Sequence, residues 1–234
     1  MRAQVGGVGR FAGVQTIDAR AEAMTANDTI TLFHAAPSRS SGALTLLEEL
    51  GAPYELHLLN LKAGENRQPA YLAVNPMGKV PAILHNGALV TEQVAIFIYL
   101  ADLFPKAGLA PAIGDPLRGP YLRWMAFYAA CYEPALVDRA AKREQAPLTM
   151  CPYGDWDTML GAVIGQLSKG PYILGERFTA ADVLWGGGLG FGRMFGIVPA
   201  DEPTIKSYVE RITSRPAFVK VAAEDAERAA QQAA

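Results

Sequence analysis

Three short stretches of this chain carry residue types whose spacing can do chemistry. Pro37-Ser38-Arg39-Ser40 sets two hydroxyls and a guanidinium between a strand pattern and a helix pattern. Backbone N–H groups and the positive dipole end at such a helix start favour an anion or a thiolate. Lys79-Val80-Pro81 precedes another strand pattern. Proline is tolerated at a strand's first position, and a cis bond there would leave the Val80 backbone free to pair with an extended ligand. Thr91-Glu92-Gln93 opens a further helix. A carboxylate there receives an ammonium group, and an amide binds a carboxylate. An anion site, an open strand edge and an ammonium acceptor together describe a pocket for a short, extended, zwitterionic peptide.

The elements that must position these groups are legible from periodicity. Ile30, Leu32 and His34 alternate with Thr31 and Phe33, which predicts a strand. Ala43, Leu46, Leu47 and Leu50 follow at helical spacing, and Gly51 with Pro53 stops that helix. Tyr54 to Leu61 reads as a second strand, and Gln68 to Val74 as a short helix ended by Asn75-Pro76. Val80 to His85 and Ala88 to Val90 flank Asn86-Gly87, a strong hairpin signal. Glu92 to Phe104 is helical and apolar on more than one face, so it belongs between layers. The order is βαβαββα, a small α/β domain.

Beyond Pro105 the chain reads as helices only: Tyr121 to Tyr132, Tyr153 to Lys169, a long apolar run opened by Thr179-Ala180-Ala181-Asp182, and a helix from near Thr204 that breaks at Arg215-Pro216. The expected organisation is an extension over 1–28, an α/β domain over 29–105, a linker over 106–116, an all-α domain over 117–225 and a tail over 226–234. The extension has no apolar core of a secretory signal.

Composition narrows the partners. The chain has 234 residues, 50% hydrophobic and 19% charged, with a formal net charge of −2. That is too apolar for a disordered chain. No basic stripe points to nucleic acid or an anionic membrane, and no apolar run is long enough to span a bilayer. Two cysteines, Cys131 and Cys151, are too few for a disulfide scaffold and form no CxxC. They suit a reduced, cytoplasmic setting. His34, His57 and His85 lie far from both, so no metal site is expected; they read as strand residues. Gly7, Gly9 and Ala12 mimic a dinucleotide loop but follow no strand. Gly186 to Gly192 mimics a phosphate loop, and small residues for close helix packing explain it better.

At four places in the right order the chain resembles the cytosolic glutathione transferase family, over residues 29–225. The places are Leu44-Thr45-Leu46-Leu47-Glu48-Glu49-Leu50-Gly51-Ala52-Pro53-Tyr54, Asn75-Pro76-Met77-Gly78-Lys79-Val80-Pro81-Ala82, Thr91-Glu92-Gln93-Val94-Ala95-Ile96 and Phe178-Thr179-Ala180-Ala181-Asp182. The bacterial beta-like group is the most similar class. The resemblance implies a thioredoxin-like domain that binds glutathione, an all-α domain supplying a pocket for a hydrophobic electrophile, and a homodimer. It implies a cis bond at Pro81 with the Val80 backbone on the cysteinyl part of glutathione. Glu92 and Gln93 would meet the γ-glutamyl end, with Lys62, Lys79, Arg39 and Ser40 available nearby. Trp124, Tyr128, Cys131 and Tyr132, at helical spacing, would line the electrophile pocket; core packing is the rival account of them.

The beta-like members carry a cysteine where Arg39 stands, so the thiol doing chemistry would be the ligand's. Ser38 is the candidate to stabilise it, with Ser40 in reserve, and either also suits a plain helix cap. Lowering a thiol from about 8.5 to about 6.5 requires roughly 2.7 kcal/mol of thiolate preference. One hydrogen bond to the charged form supplies ~1.5–3 kcal/mol, and the helix start adds ~0.3–1 kcal/mol. A single serine in this setting suffices. Conjugation of glutathione to an electrophile is the expected reaction. The alternatives are glutathione-dependent isomerisation, dehalogenation or peroxide reduction, and a non-catalytic binding protein of the same fold.

Overall fold

Alternation in the first strand decides what faces the site. A computed structural model describes residues 29–144 and 146–232; the expected extension over 1–28 and its glycine pattern lie outside the described residues. Strand β1 (Ile30–His34) is central in a four-stranded sheet of order β2-β1-β3-β4. It pairs in parallel with β2 (Tyr54–Leu58) and antiparallel with β3 (Ala82–His85), which turns at Asn86-Gly87 into β4 (Ala88–Thr91). Ile30 and Leu32 point to the face that carries α1 (Ser40–Leu50) and α3 (Gln93–Leu103). Phe33 points to the opposite face, where Tyr71 of the short α2 (Pro69–Leu72) packs on it. The period of two therefore brings His34 beneath α1 with Ile30 and Leu32.

This is the expected α/β order, with boundary corrections. The second strand ends at Leu58, not Leu61, because the backbone turns into Asn60 and the 3₁₀ turn Glu65–Arg67. The short helix occupies only Pro69–Leu72, and Thr91 belongs to the fourth strand. Helix α3 is buried between layers, as its apolar spread predicts.

After a 3₁₀ turn at Pro105–Ala107 the described residues form helices and no further strand, apart from the isolated bridges Tyr172–Gly175 and Leu174–Arg177. The helices are α4 (Arg118–Phe127), α5 (Glu133–Ala140), α6 (Trp156–Leu167), α7 (Ala180–Met194), α8 (Pro203–Thr213) and α9 (Pro216–Gln231). A wider π turn at Tyr128–Tyr132 joins α4 to α5, so the helix expected to stop at Tyr132 continues past it. At α7 the Thr179/Asp182 capping box forms with both reciprocal bonds. Its glycines serve close packing: a Cβ on Gly186 would overlap Ile212 of α8, and one on Gly188 would overlap the Tyr128 ring.

The largest departure is at the C-terminus. Proline fits the first turn of a helix as well as it ends one. Arg215-Pro216 therefore opens α9 rather than closing the fold, and α9 carries residues 226–231, expected in a tail, as helix. This helix lies on α1. Arg215 grips Glu49 with two bonds of 2.7 Å each, and Lys220 reaches Glu48 at 2.7 Å.

Candidate active site

A cavity of about 540 Å³ opens where the α/β layer meets the helical layer. Its polar rim comes from Pro37, Ser38 and Arg39 of the β1–α1 loop and from Gln93 at the start of α3. Its wall is mostly apolar, made by Gly187 and Phe191 of α7, Val209 of α8, and Phe218, Ala222 and Ala226 of α9, with Ser41, Thr45, Thr213 and Asp225 as its polar members. Such a wall accepts an apolar molecule while the rim holds a polar one.

Ser38 and Ser40 have separate roles. Ser40 is fully buried. Its hydroxyl accepts the Ala35 N–H at 3.1 Å and lies 2.9 Å from Nδ1 of His34 and 2.7 Å from Oγ of Ser38. A group so enclosed cannot touch a ligand, so the reserve candidate is a structural hub. Ser38 is half-buried and lines the cavity. Its oxygen also accepts the Ser40 N–H at 3.1 Å. The Ser41 and Gly42 N–H groups are taken by the carbonyls of Ser38 and Arg39. These three amides of the first turn thus have partners inside the loop, and it is the helix dipole that acts on the cavity from this end.

Arg39 is not placed to receive a carboxylate. Its Nε and Nη2 donate to the two oxygens of Glu133 at 2.7 and 3.1 Å, and its guanidinium lies 3.9 Å from the centre of the Phe191 ring. The residue clamps the loop to the helical domain. Gln93 likewise turns inward, donating from Nε2 to the Arg39 carbonyl at 3.1 Å. Glu92 is exposed at the start of α3 with φ +66°, ψ 114°. Positive φ in a non-glycine residue costs of order 1–3 kcal/mol and clusters at functional sites.

The Val80–Pro81 bond is cis, as the resemblance implies, and so is Ala36–Pro37, which nothing in the sequence reading anticipated. Val80 is half-buried just before the ladder, which starts at Ala82. Residues outside the expected set hold this loop. Tyr71 Oη and Asn75 Nδ2 donate to the Lys79 carbonyl at 2.6 and 2.9 Å, and Asn66 Nδ2 donates to the Gly78 carbonyl at 2.8 Å. Gly78 has φ +60°, and a Cβ there would sit 2.7 Å from the Asn66 carbonyl, so no other residue fits. Lys62 and Lys79 are exposed. Lys62, Lys79, Val80, Pro81 and Glu92 do not line the cavity.

Of the four residues expected around an electrophile, only Tyr128 lines this cavity. Its hydroxyl donates to Glu133 at 2.7 Å, and burial pushes its ionisation far up. Tyr132 is fully buried and donates to the Gly188 carbonyl. Trp124 is core, stacked among Phe127 and Trp185. Cys131 is half-buried with Sγ 3.8 Å from the Pro152 carbonyl, and burial raises its thiol. Core packing accounts for these three.

Sequence reasoning missed the group that closes the site from α9. Asp225 is buried, and its Oδ1 accepts from Nε2 of His34 at 2.9 Å and from Arg228 at 2.8 Å. Its Oδ2 accepts from Ser41 Oγ at 2.5 Å. Burial alone would raise this carboxyl; the donors from His34 and Ser41 and the nearby Arg228 outweigh burial and hold it below its ordinary value. A signal existed: Phe218, Val221 and Asp225 fall at i, i+3 and i+7, which puts a carboxylate on an apolar stripe. Among the described residues no group of three His, Cys, Asp or Glu converges as a metal site would need, and no helix is long and apolar enough to cross a membrane.

A thioredoxin-like sheet followed by an all-helical domain, with a cavity at their junction, defines the class of fold. Family models for the glutathione S-transferase N-terminal and C-terminal domains match residues 28–102 and 154–216. A glutathione S-transferase of Arabidopsis thaliana is 30% identical over 166 residues, 66% of this chain and 76% of that protein. The maleylacetoacetate isomerase of Pseudomonas aeruginosa is 30% identical over 181 residues, 72% of this chain and 83% of that protein. A sphingomonad glutathione S-transferase solved with glutathione superposes with a TM-score of 0.71 at 29% identity, covering 84% of this chain and 98% of that one. This chain belongs to the glutathione S-transferase family, and a glutathione-dependent enzyme is the general class these relationships support.

Proposed function

We propose that this protein conjugates the thiolate of glutathione to hydrophobic electrophiles. The observation that carries the reading is the junction cavity, whose one hydroxyl-bearing rim residue from the β1–α1 loop, Ser38, faces a mostly apolar wall. The chain's own groups fit the tripeptide. Glu92 and the exposed Lys62 and Lys79 offer charge of both signs, and the loop before β3 is held rigid for an extended partner. Ser38 donates to the sulfur, the α1 dipole favours the negative charge, and the apolar side chains of α7 and α9 receive the electrophile. Arg39 positions Ser38 by anchoring the loop to Glu133. A homodimer belongs to the same reading, and light scattering of the purified chain tests it.

The test is binding and turnover together. Millimolar glutathione should raise the melting temperature, and a panel of aryl halides, enones and epoxides should show at least one conjugation. Ser38→Ala should abolish most turnover while glutathione is still bound. No turnover by the native sequence with any electrophile would favour a binding protein of this fold. The 30% identity to an isomerase supports a second reading, glutathione-dependent isomerisation at the same cavity. An isomerised product lacking glutathione would distinguish it.

A further inference from the structure

Behind Ser38 runs an unbroken line of buried polar side chains that binding alone does not require. Oγ of Ser38 is 2.7 Å from Oγ of Ser40, which is 2.9 Å from Nδ1 of His34, whose Nε2 is 2.9 Å from Asp225. His34, Ser40 and Asp225 come from β1, α1 and α9, separated by up to 191 positions in the chain. We infer that this line is a proton relay, in which His34 takes up the proton lost when the cavity's thiol becomes a thiolate. The inference rests on the role given to Ser38 above.

Donor counting supports it. Asp225 is a carboxylate, so Nε2 of His34 must carry a hydrogen to bond it. Ser41 and Arg228 also donate to Asp225, so its charge is already shared and a neutral His34 is compatible with it. Nδ1 of a neutral His34 is then an acceptor without a hydrogen of its own, and at 2.9 Å it competes for the single hydrogen of Ser40 with the Ala35 carbonyl at 3.2 Å; the shorter contact takes it. Ser40 accepts the Ala35 N–H and, with its own hydrogen spent, accepts Ser38 as well. Ser38 therefore points its hydrogen away from the cavity at rest and offers only a lone pair. A hydroxyl so turned cannot stabilise a thiolate.

One concerted shift reverses the line. Ser38 receives the thiol's proton and passes its own to Ser40, and Ser40 passes its own to Nδ1 of His34. The S–H bond breaks, an Nδ1–H bond forms, and both serines end neutral with their hydrogens reversed. Ser38 now donates to the thiolate, and the new imidazolium sits against Asp225. Ser40 from α1 and Asp225 from α9 bond His34 directly and Leu58 is its register neighbour on β2; Ser41 and Arg228 bond Asp225, and Glu224 bonds Arg228. Asp225 is the group that favours the imidazolium and Arg228 the one that opposes it. His34 is thus a positioning residue: it acts through Ser40 and Ser38 and does not touch the reacting atoms.

The relay is tested by counting protons. Glutathione and S-methylglutathione are bound to the full chain by calorimetry in two buffers of different ionisation enthalpy, while ultraviolet thiolate absorbance is recorded. Nitrogen-labelled histidine spectra read Nδ1 directly. The relay predicts thiolate absorbance with no net proton released relative to S-methylglutathione, and Nδ1 of His34 protonated only in the glutathione complex. In His34→Asn the thiolate should form only at tenfold or more lower proton concentration, releasing its proton to buffer, with S-methylglutathione binding kept. Asp225→Asn retains an acceptor for Nε2 and should shift the thiolate titration the same way, which covers the case that His34→Asn does not fold. A wild-type thiolate that releases a full proton to buffer overturns the relay and leaves the role of Ser38 standing. Bound glutathione without any thiolate overturns both.

Discussion

Ser38 and Ser40 differ by two positions and share a hydroxyl, yet their environments give them opposite consequences when removed. Ser38 borders the cavity, so Ser38→Ala should lower kcat/KM about 10- to 100-fold, the equivalent of one hydrogen bond to a charged atom. Its effect on melting should be smaller than that of Ser40→Ala, because the bonds it removes, from the Ser40 N–H and to the Ser40 hydroxyl, are only part-buried. Ser40→Ala leaves the Ala35 N–H and the His34 ring without their buried partner and should destabilise the fold by about 1–3 kcal/mol. Denaturant unfolding read beside steady-state kinetics separates the two. Arg39 belongs at this scale too, since only a planar fork makes its two bonds to Glu133 while lying on Phe191. Arg39→Ala should cost about 1–3 kcal/mol, less than a wholly buried pair because both side chains are about a quarter exposed. Arg39→Lys should not restore it.

Among the elements, α7 is tightly constrained, because it is packed on one side by α8 and on another by the Tyr128 turn. Its glycines are not equivalent. Gly188→Ala would push a methyl into the Tyr128 hydroxyl and should destabilise by about 1–3 kcal/mol. Gly190→Ala meets Val209 at an ordinary 3.5 Å, so the better helix propensity of alanine should win, with a gain of about 0.5–1 kcal/mol. Thermal melts of the two single variants check the contrast in sign. Helix α9 acts differently: its grip on α1 through Arg215–Glu49 and Lys220–Glu48 is what brings Asp225 to His34.

At the scale of the whole molecule, the domains are joined by groups that titrate. Asp225 is held below its ordinary value in the folded chain, against about 3.9 for a free side chain. The folded state then binds fewer protons than the unfolded state in acid. The stability this contributes is complete above the unfolded value and is lost as pH falls through the lower folded one. Unfolding free energy should therefore decline below about pH 4, and Asp225→Asn should flatten that decline. Urea titrations at a series of acid pH values measure both slopes.

Much of this was legible from the linear chain because it rests on local rules. The alternation of Ile30, Leu32 and His34, the Asn86-Gly87 turn, the Thr179/Asp182 cap and the Val80–Pro81 segment each involve neighbours a few residues apart. Backbone geometry and side-chain periodicity act at that range, so sequence by itself determined the order of elements and the loop that carries Ser38. It did not determine what that loop meets. Whether Ser40 faces a ligand or a histidine, whether Arg39 binds a carboxylate or a helix, and whether residues after Arg215 matter all depended on how the helices dock. Docking is set by apolar packing between distant segments, such as Gly188 against Tyr128 and α9 against α1. Only the tertiary structure could bring Asp225 to His34, because the contact spans 191 positions and no local pattern encodes a partner that far away.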